Sequence, residues 1–198
     1  MAAGTPRPSG RGLSVALLGP DGIGKSTVAH RLHATYRRPV TVLKIGLTRV
    51  GGGSMIPTAP HSVRRLLRAA RLVRAIVSAR VAVRRGDVVV WDRHPIEERV
   101  ISSLGRRSSR IRRLAERLLP KPDLIIVLDA PGEVVRDRKA ERGLKELEQL
   151  RSEYLAIGDV LPSVAIVDAT RTDGEVQEAV VDAISSFEQS VGEARNAR

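Results

Sequence analysis

The stretch Gly19-Pro20-Asp21-Gly22-Ile23-Gly24-Lys25-Ser26-Thr27 constrains the chain more than any other. It fits G-x-x-x-x-G-K-[ST], in which glycines let the backbone curl its N–H groups around phosphate oxygens. Its surroundings have the matching form. Leu13 to Leu18 is an apolar run of strand length, and Ser26 to Tyr36 carries Val28, Ala29 and Leu32 at helical spacing. A strand, a glycine loop and a helix in that order aim the positive end of the helix dipole at a bound anion. The whole run Gly19 to Thr27 is therefore expected to cradle nucleotide phosphates. Lys25 would reach the β- and γ-phosphates, and the Ser26 hydroxyl would hold Mg²⁺.

Four more apolar runs follow. They are Val40 to Ile45, Val88 to Trp91 closing on Asp92, Leu124 to Leu128 closing on Asp129, and Val164 to Val167 closing on Asp168. Helical patterns lie between them. His61 to Arg85 carries Val63, Leu66, Ala70, Val73, Val77 and Val81 at steps of three and four, which predicts one buried stripe. Gly86 then stands where a helix C-cap glycine would. Ile96 to about Leu119 reads as a weaker helical region, and Gly46 to Pro60 as a long loop. Glu133 to Arg142, Leu144 to Ile157 and Asp173 to Gln189 complete the helices. Strands alternating with helices predict an α/β fold, a five-stranded parallel sheet with helices on both faces. Residues 1–12 read as a disordered leader, 13–190 as a single domain and 191–198 as a frayed tail. Such sheets bind ligands beyond the carboxyl ends of their strands, so the phosphate loop and Asp92-Arg93 should face one crevice.

Composition narrows the class. Hydrophobic residues make up 42% and charged residues 28%, as in a globular protein, while aromatics are only 2%. The core must then come from Leu, Val, Ile and Ala, and few rings are left for stacking on a ligand. Cysteine is absent, which excludes disulfides and thiolate metal sites. No apolar run approaches the ~18 residues of a membrane span, and a cytoplasmic location is expected. The net charge is +12, and most of it falls between His61 and Arg117, where sixteen arginines face five acids. That region suits a polyanion such as nucleic acid, an anionic lipid surface or a phosphorylated substrate. It equally suits arginines that decorate solvated helix faces.

Beyond the phosphate loop, the residues resemble the thymidylate kinase family of nucleotide kinases. Asp92-Arg93-His94, after its apolar strand, is similar to that family's D-R-[YH] motif. Ala70-Arg71 resembles its A-R pair, and Thr48-Arg49 with Gly51-Gly52 resembles its T-R-E-P-G-G loop. Pro122-Asp123-Leu124 through Leu128-Asp129-Ala130-Pro131, then Glu133-Val134 and Arg142-Gly143, looks like its P-D-(apolar)-L-D-x-P…R-x-R-G segment. Asp168-Ala169 and Glu175-Val176 resemble its last strand and helix, so the likeness runs from residue 13 to 184. The resemblance implies the P-loop kinase fold, ATP as donor with Mg²⁺, and transfer of the γ-phosphate to a nucleotide or related small phosphorylated acceptor. It also implies that Arg71 contacts the acceptor's base and Arg49 its phosphate.

Other roles stay open at this point. Asp92 would orient the acceptor or hold a Mg²⁺-bound water, or it caps the following segment. Arg93 would grip the acceptor's anion bidentately, or it pairs with Glu97 at helical spacing. Arg74 joins Arg49, Arg71 and Arg93 as a candidate to hold an anionic acceptor. Arg138 and Arg142 would close as a lid on the transferring phosphate, or they form helix-face pairs with Glu133 and Glu146.

The chain also departs from the family pattern. The segment between Arg142-Gly143 and Tyr154-Leu155-Ala156 is shorter than usual, and the lid's D-R-x-E run is absent. Pro95-Ile96-Glu97-Glu98 stands where the family has an S-x-x-A-Y-Q type of sequence. The single Phe is Phe187, so the usual aromatic wall for thymine is missing unless Tyr36, Trp91 or Tyr154 replaces it. Thymidylate is accordingly expected not to be the best acceptor. Two alternatives stand beside this reading. One is the same machinery acting on a sugar, a nucleoside or a biosynthetic intermediate. The other is a nucleic-acid-associated nucleotide-binding protein that uses the basic region. A homodimer is also left open.

Overall fold

The computed structural model describes residues 11–44, 61–92, 94, 97, 121–161 and 163–196. All five expected strands form: β1 (Leu13–Leu18), β2 (Val40–Lys44), β3 (Val88–Asp92), β4 (Leu124–Asp129) and β5 (Val164–Asp168). They make one sheet in the order β2-β3-β1-β4-β5, and every pair is parallel. Central strands of a parallel sheet are buried on both faces, which is why β3 and β4 read as apolar runs and β1 as one interrupted only by Ser14. The helices are α1 (Lys25–Thr35), α2 (His61–Arg85), α3 (Gly132–Arg138), α4 (Leu144–Leu155), the short α5 (Ile157–Val160) and α6 (Asp173–Asn196).

Alternation along the strands assigns the layers. Val15 and Leu17 of β1, with Val88, Val90, Ile126 and Leu128, pack against Val28, Ala29 and Leu32 of α1 and Val176, Val180 and Ile184 of α6. On the opposite face, Ala16, Leu18, Ile125 and Val127 meet Leu150 and Tyr154 of α4 and Ile157 of α5. Val89 and Trp91 of β3 meet Ile76, Ala79 and Ala82 of α2. Trp91 is fully buried, and its indole N–H donates to the Ser14 hydroxyl at 2.8 Å. Glu188 of α6 accepts hydrogen bonds from Arg37 and Arg38, and Arg38 also donates to the Gly86 carbonyl. That cluster ties α6 to the turns at the amino-terminal side of the sheet.

Two expectations change. The stripe read from α2 does not face the sheet along its described length. Val73, Val77 and Val81 are exposed, and Ile76, Ala79 and Ala82 are the buried positions. The small Ala79 and Ala82 let the helix approach β3 closely, where the β-branched Val77 would hold it away. The helices at the carboxyl end also differ in length. α3 stops at Arg138 rather than Arg142, and α6 continues past Gln189 to Asn196. Gly86 does close α2: its N–H donates to Val83 and that of Asp87 to Ala82, the paired bonds of a Schellman cap. The region expected to be helical from Ile96 to Leu119 lies outside the described residues, apart from Glu97, as does the loop from Gly46 to Pro60.

The face of α2 is checked by two truncations. Ile76→Ala is expected to destabilise by ~2–4 kcal/mol, as truncation of a buried Ile does. Val77→Ala, on the exposed face, is expected to stay within about 0.5 kcal/mol of the parent. Urea midpoints of the two variants measure both, and equal losses would put the sheet against the wrong face.

Candidate active site

The phosphate loop connects β1 to α1. Gly19, Gly22 and Gly24 all have positive φ, at 137°, 95° and 108°. A side chain is strained in those conformations, so the loop requires glycine at each. Lys25 opens α1, and its ammonium is buried. It donates to the Gly19 and Pro20 carbonyls, the latter at 2.9 Å, and lies 3.8 Å from Asp21. A buried charge needs such partners. The loop carbonyls hold the cation beside the backbone N–H groups of the loop, where a phosphate would approach.

Ser26 follows. Its hydroxyl donates to Asp92 Oδ2 at 2.6 Å. The contact depends on register, because Leu17 of β1 pairs with Asp92 of β3. The last residue of β3 therefore reaches the start of the loop that leaves β1. Lys44, the last residue of β2, pairs in register with Asp92. Its ammonium lies 3.0 Å from Asp92 Oδ2 and 3.3 Å from the Ser26 hydroxyl. Burial pushes the Asp92 carboxyl up, but the Ser26 hydroxyl, the Lys44 ammonium and the more distant Lys25 outweigh it and hold the group below its ordinary value. Ser26 and Asp92 thus present hard oxygens to a point a cation already occupies, a donor set that suits Mg²⁺. Among the described residues no cluster of three or more His, Cys, Asp or Glu could hold a metal by itself. A metal here must take its remaining ligands from phosphates and water.

A cleft opens beside the loop. It is lined by Ile23, Gly24 and Thr27 from the loop and α1, by Arg31 and Arg138, and by Ala169 and Asp173 beyond β5. Arg31 donates to Asp173 at 2.9 Å across it. Lys139 packs over the loop so closely that a Cβ on Gly22 would come within 2.7 Å of the Lys139 Cβ. The turn between α3 and α4 therefore sits against the phosphate loop.

The candidate residues separate as follows. Lys25, Ser26 and Asp92 converge, and Arg138 faces the same loop across the cleft. Arg142 instead pairs with Glu146 one helical turn on, the helix-face arrangement left open from sequence. Arg71 and Arg74 are exposed on α2. Arg49 and Arg93 lie outside the described residues. The sequence reading missed Lys44, whose only signal is its place at the end of an apolar run, as Asp92 ends another.

The aromatic side chains are all described. Trp91 and Tyr154 are buried, and Tyr154 donates to Glu97. Phe187 packs on the core under α6. Tyr36, at the far end of α1 from the loop, donates to Glu188 at 3.3 Å. His94 is buried edge-on to Trp91, with ring centroids 5.3 Å apart. None of these rings forms an open face in the crevice.

A parallel sheet with a glycine loop after its central strand, a lysine in that loop and an aspartate at the end of the neighbouring strand defines the P-loop nucleotide-binding class. The family model for thymidylate kinase matches residues 18–180, and the chain belongs to that family. It is 30% identical over 188 residues to a probable thymidylate kinase of Archaeoglobus fulgidus, covering 87% of this chain and 95% of that protein. It is 28% identical to a thymidylate kinase of Deinococcus radiodurans, covering 88% and 97%. A solved thymidylate kinase from Candida albicans shares the fold with a TM-score of 0.60 at 20% identity, over 90% of this chain and 93% of that one. The chain is thus an ATP-dependent phosphotransferase of thymidylate kinase type. Among the described residues no helix is long and apolar enough to cross a membrane.

The depressed Asp92 carboxyl has a defined consequence. A carboxylate whose pKa falls on folding stabilises the fold above its unfolded value and loses that contribution as pH drops through its folded value. The stability difference between the parent and Asp92→Asn is expected to be constant down to roughly pH 5 and to shrink below about pH 4. Urea midpoints of both proteins across that range read it, and a pH-independent difference would contradict it.

Proposed function

We propose that this chain transfers the γ-phosphoryl group of ATP to a small phosphorylated acceptor, a nucleoside monophosphate, with loose discrimination among bases. The observation that carries the reading is the Ser26–Asp92 contact, which joins the donor loop to the end of β3 in one crevice. Its relatives among the thymidylate kinases supply the acceptor class.

In this reading the loop N–H groups and Lys25 bind the donor phosphates. Lys25 exchanges the Gly19 and Pro20 carbonyls for phosphate oxygens and follows the charge that grows between the β- and γ-phosphates. Ser26 and Asp92 would hold Mg²⁺, which would supply charge neutralisation at the donor phosphates. Asp92 also faces the acceptor side and orients its attacking group. The cleft between Thr27, Arg31 and Asp173 takes the rest of the donor nucleotide, and Arg138 closes on it from α3. Arg142 joins Arg138 only after leaving Glu146. By resemblance Arg49 is assigned to the acceptor's phosphate and Arg71 to its base, and Arg74 and Arg93 are added as cations for the acceptor's anion.

The lack of an open aromatic face also favours a second reading, in which the acceptor is a phosphorylated compound without a base. Both acceptors are anions held by arginine, so both use the same donor machinery. A cytoplasmic homodimer is part of the proposal. The exposed Val73, Val77 and Val81 of α2 are an apolar stripe a second copy would cover.

Lys25→Ala is expected to lower turnover about 10²-fold or more while the far-ultraviolet circular dichroism stays that of the parent. Wild-type turnover in that variant would remove the assignment. For the acceptor, stacking on an aromatic ring is worth roughly 1–3 kcal/mol, and this site lacks it. Thymidylate is therefore expected not to be the best acceptor in kcat/KM among monophosphates and sugar phosphates, where a site built for one base would favour it by about 10⁴ or more. Competition assays with ATP and a panel of acceptors decide it, and a preference for thymidylate of about 10³ or more would overturn it.

A further inference from the structure

Lys44 has a place in the site that neither the phosphate-loop motif nor the family resemblance assigns. It ends β2 in register with Asp92, and its ammonium lies 3.0 Å from Asp92 Oδ2 and 3.3 Å from the Ser26 hydroxyl. Those two oxygens are themselves 2.6 Å apart. The cation thus sits on the pair that Ser26 and Asp92 would offer to a metal. Its side chain is 60% exposed, so among the described residues little packing holds it there. Lys25 is the contrast: 6% exposed and fixed by two loop carbonyls. One lysine is built into the loop, and the other rests on the metal pair from an exposed strand end, by its charge and its hydrogen bonds.

We propose that Lys44 is a resident counter-ion for Ser26 and Asp92, and that a divalent ion enters the site only by displacing it. This rests on the reading of Ser26 and Asp92 as the metal pair. A divalent cation and an ammonium sharing the same oxygens would sit a few ångströms apart and repel. One must leave, and the exposed flexible stem of Lys44 is the part able to move. With the metal absent, the ammonium keeps the carboxylate of Asp92 paired and oriented at the end of β3. Once the metal arrives, the displaced cation stands free at the rim of the crevice. Metal affinity in this chain is therefore set by competition with one of its own side chains.

The test measures Mn²⁺ binding to the full chain loaded with ADP, followed by electron paramagnetic resonance. Lys44→Met and Lys44→Gln remove the charge at an exposed strand end, and thermal melts check that both remain folded. Each is expected to bind Mn²⁺ at least about tenfold more tightly than the parent, and Lys44→Arg to stay within about threefold of it. Adding Asp92→Asn to Lys44→Met is expected to erase the gain. Affinity unchanged or weakened in the uncharged variants would overturn the proposal, as would a gain that survives Asp92→Asn. Phosphoryl transfer is not the readout. A chain that showed this metal pattern but transferred no phosphate would lose the function proposed above and keep this inference.

Discussion

Between the Ser26 hydroxyl and the Asp92 carboxylate there are 2.6 Å of space and 66 residues of sequence. Closing that gap requires β1 and β3 to lie side by side, parallel, with Leu17 level with Asp92. A slip of one residue would turn Asp92 away from the crevice, because successive strand residues point to opposite faces. The burial pattern prevents the slip. Val88 and Val90 belong to the core under α1, while Val89 and Trp91 belong to the core under α2, so a shifted β3 would place Trp91 in the wrong layer. The bond from the Trp91 indole to Ser14 adds a polar lock to the same register. The hydrophobic core thus sets the geometry of two polar groups that contribute little to it.

The phosphate loop carries a different constraint. It must gather positive charge where an anion will bind, and it must remain folded without the anion. Lys25 meets this by turning back onto the loop carbonyls, with Asp21 close by. An unpartnered buried ammonium would be costly, so these contacts are a condition of keeping a lysine there at all. In the proposed reading phosphate oxygens take their place, an exchange at the end of one side chain. Lys44 stabilises Asp92 in the same way from the other side of Ser26.

Much of this architecture was legible in the sequence. Each of the five strands announced itself as an apolar run; for β1, β3 and β4 the reason is that a central parallel strand is buried on both faces, while β2 and β5 form the edges. The phosphate loop was legible from its glycines, and Asp92 from its position at the end of a strand. The face of α2 was not. Its apolar residues lie on more than one side, and the large Val73, Val77 and Val81 outweigh the small Ala79 and Ala82 in any reading by hydrophobicity. Close approach to the sheet selects the small residues, and that selection is a property of packing rather than of pattern. Lys44 was equally hidden. A lone lysine after an apolar run has many explanations, and only the register between β2 and β3 shows that it meets Asp92.

The aromatic residues show how the same composition that shapes the core limits the site. With 2% aromatics, each ring is committed where its area or its polar tip is needed. Trp91 fills the layer beneath α2, Phe187 packs under α6, Tyr154 joins α4 to Glu97, and Tyr36 joins α1 to Glu188. To free any of them for stacking would open a cavity or strand a hydroxyl. Recognition of an acceptor therefore falls to charge and hydrogen bonding. Arginine serves that purpose well, since its planar fork matches phosphate geometry and it stays ionised. Contacts of arginine to the phosphate distinguish an anion from a neutral compound and do not read the base. The shortage of rings and the surplus of arginine are what the proposed function rests on: a site that would select the acceptor's phosphate more than what the phosphate is attached to.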